Sequence, residues 1–154
     1  MCSLTIEQRK ERLDDAFKVL LTISTVLLST VIALYGRESP EWAAFLFSLY
    51  GFTIFSWSAA HLLGGEFEYL VKFLGWFELL GGIIQAIIML NVGTLDLNGY
   101  YNAANWMACL LIYYLLFRYV RSFLAEEQRK ALRICFLAMI VLGIVFSSLR
   151  FLGI

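Results

Sequence analysis

Five uninterrupted apolar runs restrict the fold of this chain more than any other feature. They cover about residues 16–36, 42–63, 69–92, 104–124 and 132–152. Each reaches the roughly 20 residues that a helix needs to cross about 30 Å of hydrocarbon. Strands of a membrane barrel read as short alternating segments, whereas these runs are long and continuous. The expected fold is an all-α integral membrane protein, a compact bundle of five transmembrane helices. Composition agrees: 61% of the 154 residues are hydrophobic and 16% charged, against about 25% charge in an ordinary soluble domain.

The breaks between the runs have local causes. Gly36-Arg37-Glu38-Ser39-Pro40-Glu41 combines charge, glycine and proline, with Pro40 suited to the first turn of the next helix. Gly64-Gly65-Glu66 ends the second run. Asn91 to Asn105 contains Gly93, Asp96, Asn98, Gly99 and Asn102 and reads as a polar loop. Ala125 to Arg133 holds Glu126, Glu127, Arg129 and Lys130 and reads as a helical elbow or tight turn. Residues 1–15 form a polar segment ahead of the bundle of residues 16–154. Within that segment Thr5-Ile6-Glu7-Gln8 has the pattern of a capping box, with Thr5 as N-cap and Gln8 reaching back. Ile6, Leu13 and Phe17 fall on one side of the helix that follows. The segment reads either as an interfacial amphipathic helix running into the first span or as a solvated overhang of that span. Its acidic residues Glu7, Glu11, Asp14 and Asp15 and the lack of a small-residue cleavage site argue against a signal peptide.

Lysine and arginine bias sets the expected orientation. With the N-terminus cytoplasmic, the inner side receives Arg9, Lys10, Arg12, Lys18, Lys72, Arg118, Arg121, Arg129, Lys130 and Arg133, and the outer side only Arg37 and Arg150. Tyr35, Trp42, Tyr100, Tyr101 and Trp106 gather at the outer boundary, as an aromatic belt does. A multi-pass protein of a plasma or inner membrane is the expectation, with its N-terminus inside and C-terminus outside. Glu7-Gln8-Arg9-Lys10 recurs as Glu127-Gln128-Arg129-Lys130, and basic anchoring at the inner leaflet explains both copies.

Polar residues inside the apolar runs are the candidate functional residues. On the third helix Gly75, Glu78, Gly82, Gln85 and Met89 share one face by their spacing, and glycine on such a face lets another backbone approach. Glu78 lies about 12 Å above the inner boundary, near the midplane, where an acidic residue is a functional-site hypothesis by default. Arg118 on the fourth helix lies roughly 9 Å above the same boundary. Helical side chains lean toward their own N-terminus, so the two point to a common depth. An ion pair between them is expected if the third and fourth helices are neighbours. The competing reading has Arg118 snorkelling to the headgroups while a neutral Glu78 meets a hydroxyl, with Thr25, Thr53, Tyr113 and Tyr114 at that level.

His61 ends the second run near the inner interface. It reads as an interfacial hydrogen-bonding residue; a single histidine cannot form a bis-histidine haem site within one chain, although a dimer would supply two, and no cofactor or metal is expected. Thr22, Thr25 and Ser29 make a hydroxyl stripe on the first helix, and Ser48, Gly51 and Ser58 one on the second. Both stripes read as helix-packing faces. Cys2, Cys109 and Cys135 are scattered and read as buried free thiols. No nucleophile–base pair, HExxH motif or phosphate loop is visible, and a net charge of zero makes nucleic acid an unexpected partner. Two functions fit. One is a non-enzymatic packing or accessory subunit of a membrane complex or homo-oligomer, whose partners are the bilayer and other membrane helices. The other is an ion or small-solute channel or transporter protomer with Glu78 in the pathway.

Overall fold

The computed structural model describes residues 5–35, 40–92 and 99–154. The loop residues Arg37, Gly93, Asp96 and Asn98, together with Cys2, lie outside them. The side chains of Tyr35, Trp42, Met89, Tyr100 and Tyr101 are outside the described set as well. The described residues form five long helices: α1 (Ile6–Tyr35), α2 (Pro40–Leu63), α3 (Glu68–Val92), α4 (Gly99–Val120) and α5 (Glu126–Phe151), with a 3-10 turn at Gly65–Phe67 before α3. All five are long and apolar enough to cross a membrane.

Where helix ends differ from expectation, side-chain bonds account for the shift. α1 is a single helix through the polar segment and the first run. Its start is a capping box: the Thr5 N–H donates to Gln8 Oε1 at 3.0 Å, and the Gln8 N–H to Thr5 Oγ1 at 3.3 Å. The stretch expected as an elbow before residue 133 instead forms the first turns of α5. There the Ala125 N–H donates to Gln128 Oε1 at 3.2 Å, and Glu126 pairs with Lys130 at 3.1 Å, both favourable in an opening turn. The repeated Glu-Gln-Arg-Lys segment therefore has a shared structural use, since Gln8 and Gln128 both reach back to the residue that starts the helix. The expected loop from Asn91 to Asn105 is shorter, because α3 runs to Val92 and α4 starts at Gly99. Asn102 and Asn105 belong to α4 and spend their amides on neighbouring helices, Asn102 on Ser147 and Asn105 on Gln85.

Side-chain contacts fix the register. Phe17 meets Trp57 and Thr25 meets Tyr50; Ser56 meets Glu78 and Leu49 lies at Gly82; Phe73 meets Tyr113 and Gln85 meets Asn105; Tyr113 meets Leu132 and Asn102 meets Ser147, so each consecutive pair runs antiparallel. α3 is central: it packs against α1, α2 and α4, while α5 packs against α4. One bundle end gathers the start of α1, the α2–α3 turn and the α4–α5 turn. We call it the basic end, because Arg9, Lys72, Arg121 and Lys130 belong to it. The α2–α3 reversal uses Gly64 and Gly65 at φ of 56° and 60°, a region that side chains with a Cβ enter at a cost.

The larger core cluster surrounds the basic half of α3 and contains Phe17, Phe73, Trp76, Leu79, Tyr113 and Val120. A smaller one at the opposite end joins Val31, Leu46 and Ala86. Leu13 and Phe17 enter the large core as their spacing suggested, whereas Ile6 is exposed. Trp106, expected in an outer aromatic belt, lies against Gly143 of α5; a Cβ at Gly143 would stand 3.3 Å from its ring. Gly143→Val is therefore expected to lower stability by about 1–3 kcal/mol through overpacking. Gly51→Ala, with nothing within 4 Å of the added carbon, should be neutral or stabilise by up to about 1 kcal/mol through helix propensity. Thermal melts of the purified variants in detergent measure both.

Candidate functional site

Two polar layers cross the bundle. The first is at the middle of α3. Gly75 and Gly82 bring α3 close to α2: a Cβ at Gly75 would lie 3.5 Å from Ser56 Cβ, and one at Gly82 would lie 3.1 Å from Leu49 Cδ2. Between these two contacts Glu78, half-buried, accepts a hydrogen bond from the Ser56 hydroxyl at 3.1 Å. A cavity of about 20 Å3 adjoins the carboxyl, with Ser24, Tyr50, Thr53 and Gly82 in its wall, room for a single water. The Ser24 and Thr53 hydroxyls are bonded to their own helices, at Leu21 O and Leu49 O, and Thr25 Oγ1 meets the Tyr50 hydroxyl. Farther along α3, Gln85 Nε2 donates to Asn105 Oδ1 on α4 at 2.7 Å.

The expected Glu78–Arg118 ion pair does not form. Glu78 faces α2, while α3 turns Phe73 and Phe77 toward α4, where both rings contact Tyr113 at centroid distances of 4.9 and 5.5 Å. α4 points Tyr113 and Val120 inward and leaves Arg118 exposed. Depth was compatible with a pair; helix rotation was not. Glu78 does meet a hydroxyl, as the alternative had it, but the donor is Ser56 rather than any of the hydroxyls placed at that level. The single stripe expected on α3 is likewise divided, with Gly75, Glu78 and Gly82 on α2 and Gln85 on α4. On the hydroxyl stripes, Thr25 touches Tyr50, while Ser29, Ser48 and Gly51 lie on exposed faces of this chain. His61 is exposed and contacts the Trp57 ring at 5.6 Å. Cys109 and Cys135 are free thiols; Cys109 is half-buried, but Cys135, expected to be buried, is exposed because α5 packs mainly on α4 and turns most of its surface outward.

The second layer lies at the basic end and is built on Lys72. This side chain is 1% exposed. Its ammonium contacts both Asp14 oxygens at 2.9 Å and Glu68 Oε1 at 2.7 Å. It also lies 5.1 Å from the ring centres of Trp57 and Tyr69, a cation–π geometry. Beneath it Phe17 stacks on Trp57 at 3.6 Å and meets Trp76 edge-on at 5.4 Å. The Trp76 indole N–H is buried without a hydrogen-bond partner. At the rim, the Arg9 guanidinium donates to the Tyr119 carbonyl at 2.7 Å and lies over the Tyr119 ring at 4.8 Å. The Tyr119 hydroxyl donates back to the Arg9 carbonyl at 3.1 Å. Gln128 Nε2 closes the layer by donating to the Glu66 carbonyl at 2.9 Å.

From sequence alone Lys72 counted only as one inner-side charge. The available signal was its position in the otherwise apolar row Tyr69, Phe73, Trp76, Leu79, four residues after Glu68. Asp14 gave a weaker one, beside Leu13 and Phe17 on the buried side of α1. Arg9 and Gln128 carried no such signal, because their partners are backbone carbonyls of distant segments.

Compared with protein-family models, with curated proteins and with solved structures, the chain finds no match. Its site must therefore be judged on its own geometry.

Two stability predictions follow from the layers. Asp14→Asn leaves Lys72 with Glu68 and should cost about 1–3 kcal/mol. Combined with Glu68→Gln it strands a buried ammonium and should cost about 3–5 kcal/mol, both read from unfolding midpoints. Ser56→Ala removes the donor to Glu78 and should cost about 0.6–1.7 kcal/mol if the bond behaves as interhelical bonds in lipid do, whereas Arg118→Gln should leave stability unchanged.

Proposed function

We propose that this chain is a multi-pass membrane protein that acts without catalysis, as a packing or accessory subunit of a membrane complex or homo-oligomer. Its N-terminus lies on the cytoplasmic side and its C-terminus outside. The length and apolarity of the five helices support insertion, and the lysines and arginines of the basic end support the orientation. α1 has 30 residues, or about 45 Å at ~1.5 Å per residue. It therefore exceeds the ~30 Å hydrocarbon layer, and its surplus carries the charged turns of the basic end.

The observation that carries the subunit reading is the setting of Glu78. The one acidic residue near the middle of the bundle is hydrogen-bonded across an intramolecular contact between α2 and α3. The adjoining space fits about one water. Toward the basic end, Gly75 brings α3 directly onto α2, and Phe17, Trp57 and Trp76 fill the next level. Toward the other end, Gln85 and Asn105 are bonded to each other. A conduction path needs polar groups in file along the membrane normal; here successive polar groups are spent on different helix pairs. Glu78 thus serves as a device that holds α3 on α2.

Proteoliposomes carrying the purified chain test this reading against the channel or transporter alternative. Proton and potassium flux should equal that of protein-free vesicles, for the native chain and for Glu78→Gln alike. Cross-linking in native membranes should capture a second membrane protein or a second copy. Flux that disappears in Glu78→Gln would overturn the subunit role, and so would a chain that is monomeric and alone in its membrane.

A further inference from the structure

A groove between α4 and α5 has no occupant in the packing described so far. Tyr113, Tyr114 and Phe117 wall it on α4, and Leu132, Arg133 and Phe136 on α5; it holds about 170 Å3. The Tyr113 hydroxyl is turned away, donating to the Leu132 carbonyl at 2.7 Å. The walls therefore present rings and hydrocarbon.

Arginines stand in register at the mouth of this groove, toward the basic end. Arg118 lies four residues after Tyr114, and Arg121 four after Phe117, so both extend the rows that wall the groove on α4. Helical spacing holds there, because the Arg121 N–H donates to the Phe117 carbonyl at 2.9 Å. On α5, Arg129 precedes Arg133 by one turn on the same row. Arg118, Arg121 and Arg133 are exposed and Arg129 is half-buried. Among the described residues none of these four enters an ion pair. The nearby carboxylates do not neutralise them: Glu126 is paired with Lys130 at 3.1 Å, and Glu127, two residues before Arg129, lies on the far side of the helix. Four other cations of this end are engaged, Lys72 by Asp14 and Glu68, Lys10 by Glu7, Lys18 by Asp15, and Arg9 by the last turn of α4, while Arg12 is exposed on α1.

An apolar slot that opens at one end onto unneutralised arginines complements a molecule with an acyl chain and an anionic head. We infer that the α4–α5 groove binds an anionic phospholipid. Its acyl chain lies against Phe117 and Phe136, and its phosphate lies at Arg118 and Arg133, with Arg121 and Arg129 toward the headgroup. The guanidinium fork matches phosphate oxygens in two-point contacts. The basic end faces the leaflet that carries anionic lipid. Arg118, left without the carboxylate once expected for it, receives its counter-charge from the lipid. The site rests on the membrane insertion and orientation proposed above.

The test uses the full chain reconstituted in vesicles of equal parts phosphatidylglycerol and phosphatidylcholine. Flotation with the vesicles checks insertion, and native mass spectrometry after gentle extraction counts the lipid retained. Phosphatidylglycerol should be retained over phosphatidylcholine by at least about tenfold, since each basic residue near a charged lipid surface adds to the preference. The double variant Arg118→Gln, Arg133→Gln should lose that preference. Lys18→Gln, on α1 and away from α4 and α5, should keep it. Equal retention of the two lipids by the native chain overturns the site, as does a loss in Lys18→Gln as large as in the double variant, which would mark a diffuse basic surface. Added inorganic phosphate should not displace phosphatidylglycerol; displacement would mean a free-anion site and overturn the lipid assignment. A chain that fails to float overturns membrane insertion and the site with it, whereas a chain that floats without lipid preference overturns the site alone.

Discussion

Lys72 is buried where α1, α2 and α3 meet, and an ammonium in that position needs charged partners. Unpaired burial of such a group costs several kcal/mol, so α1 must deliver Asp14 while α3 supplies Glu68 from its own preceding turn. That requirement sets the axial position of α1. With Asp14 on Lys72, Phe17 arrives on Trp57 and Trp76, and Arg9 arrives over the last turn of α4. A slip of α1 by one turn, about 5.4 Å, would take Asp14 off Lys72 and withdraw Arg9 from the Tyr119 carbonyl. One ion pair thus couples the register of α1 to three other helices.

α3 works as an axis because its sides differ in chemistry. The side with Gly75 and Gly82 gives close backbone approach to α2, and the side with Phe73 and Phe77 gives ring contacts to Tyr113 of α4. In lipid the hydrophobic effect does not drive helices together, so packing and interhelical hydrogen bonds must. The bundle has both. Ser56–Glu78 joins α2 to α3, Gln85–Asn105 joins α3 to α4, and Asn102–Ser147 and Tyr113–Leu132 join α4 to α5. Glu78, Gln85, Asn102 and Asn105 are consumed in holding neighbours together, which is the physical content of the proposed subunit role. Arg118, Arg121 and Arg133, by contrast, stay exposed, where the proposed lipid would meet them.

Helix starts illustrate how local bonds and distant ones divide the work. The α1 cap was legible in Thr5 and Gln8, because both partners sit within four residues. The α5 cap was hidden, since Ala125 offers no side-chain acceptor and only Gln128 marks the site. Gln128 then uses its other end on Glu66, more than sixty residues away in the chain. No local pattern announces such a bond.

Apolar length and charge sidedness are properties of consecutive residues, and so the sequence by itself determined five membrane-length helices, their approximate ends, and the concentration of basic residues at one end. It also marked Gly75, Glu78 and Gly82 as one face of α3, since helical spacing alone groups them. Which helix that face meets was decided only by tertiary structure. Glu78 and Arg118 have compatible depths, but depth is read along a helix axis, whereas partner choice depends on rotation about it, and rotation is set by packing with all neighbours at once. That is why Glu78 met Ser56, why Arg118 was left outside, and why Lys72, which a count of charges could not distinguish from its peers, became the buried centre of the basic end.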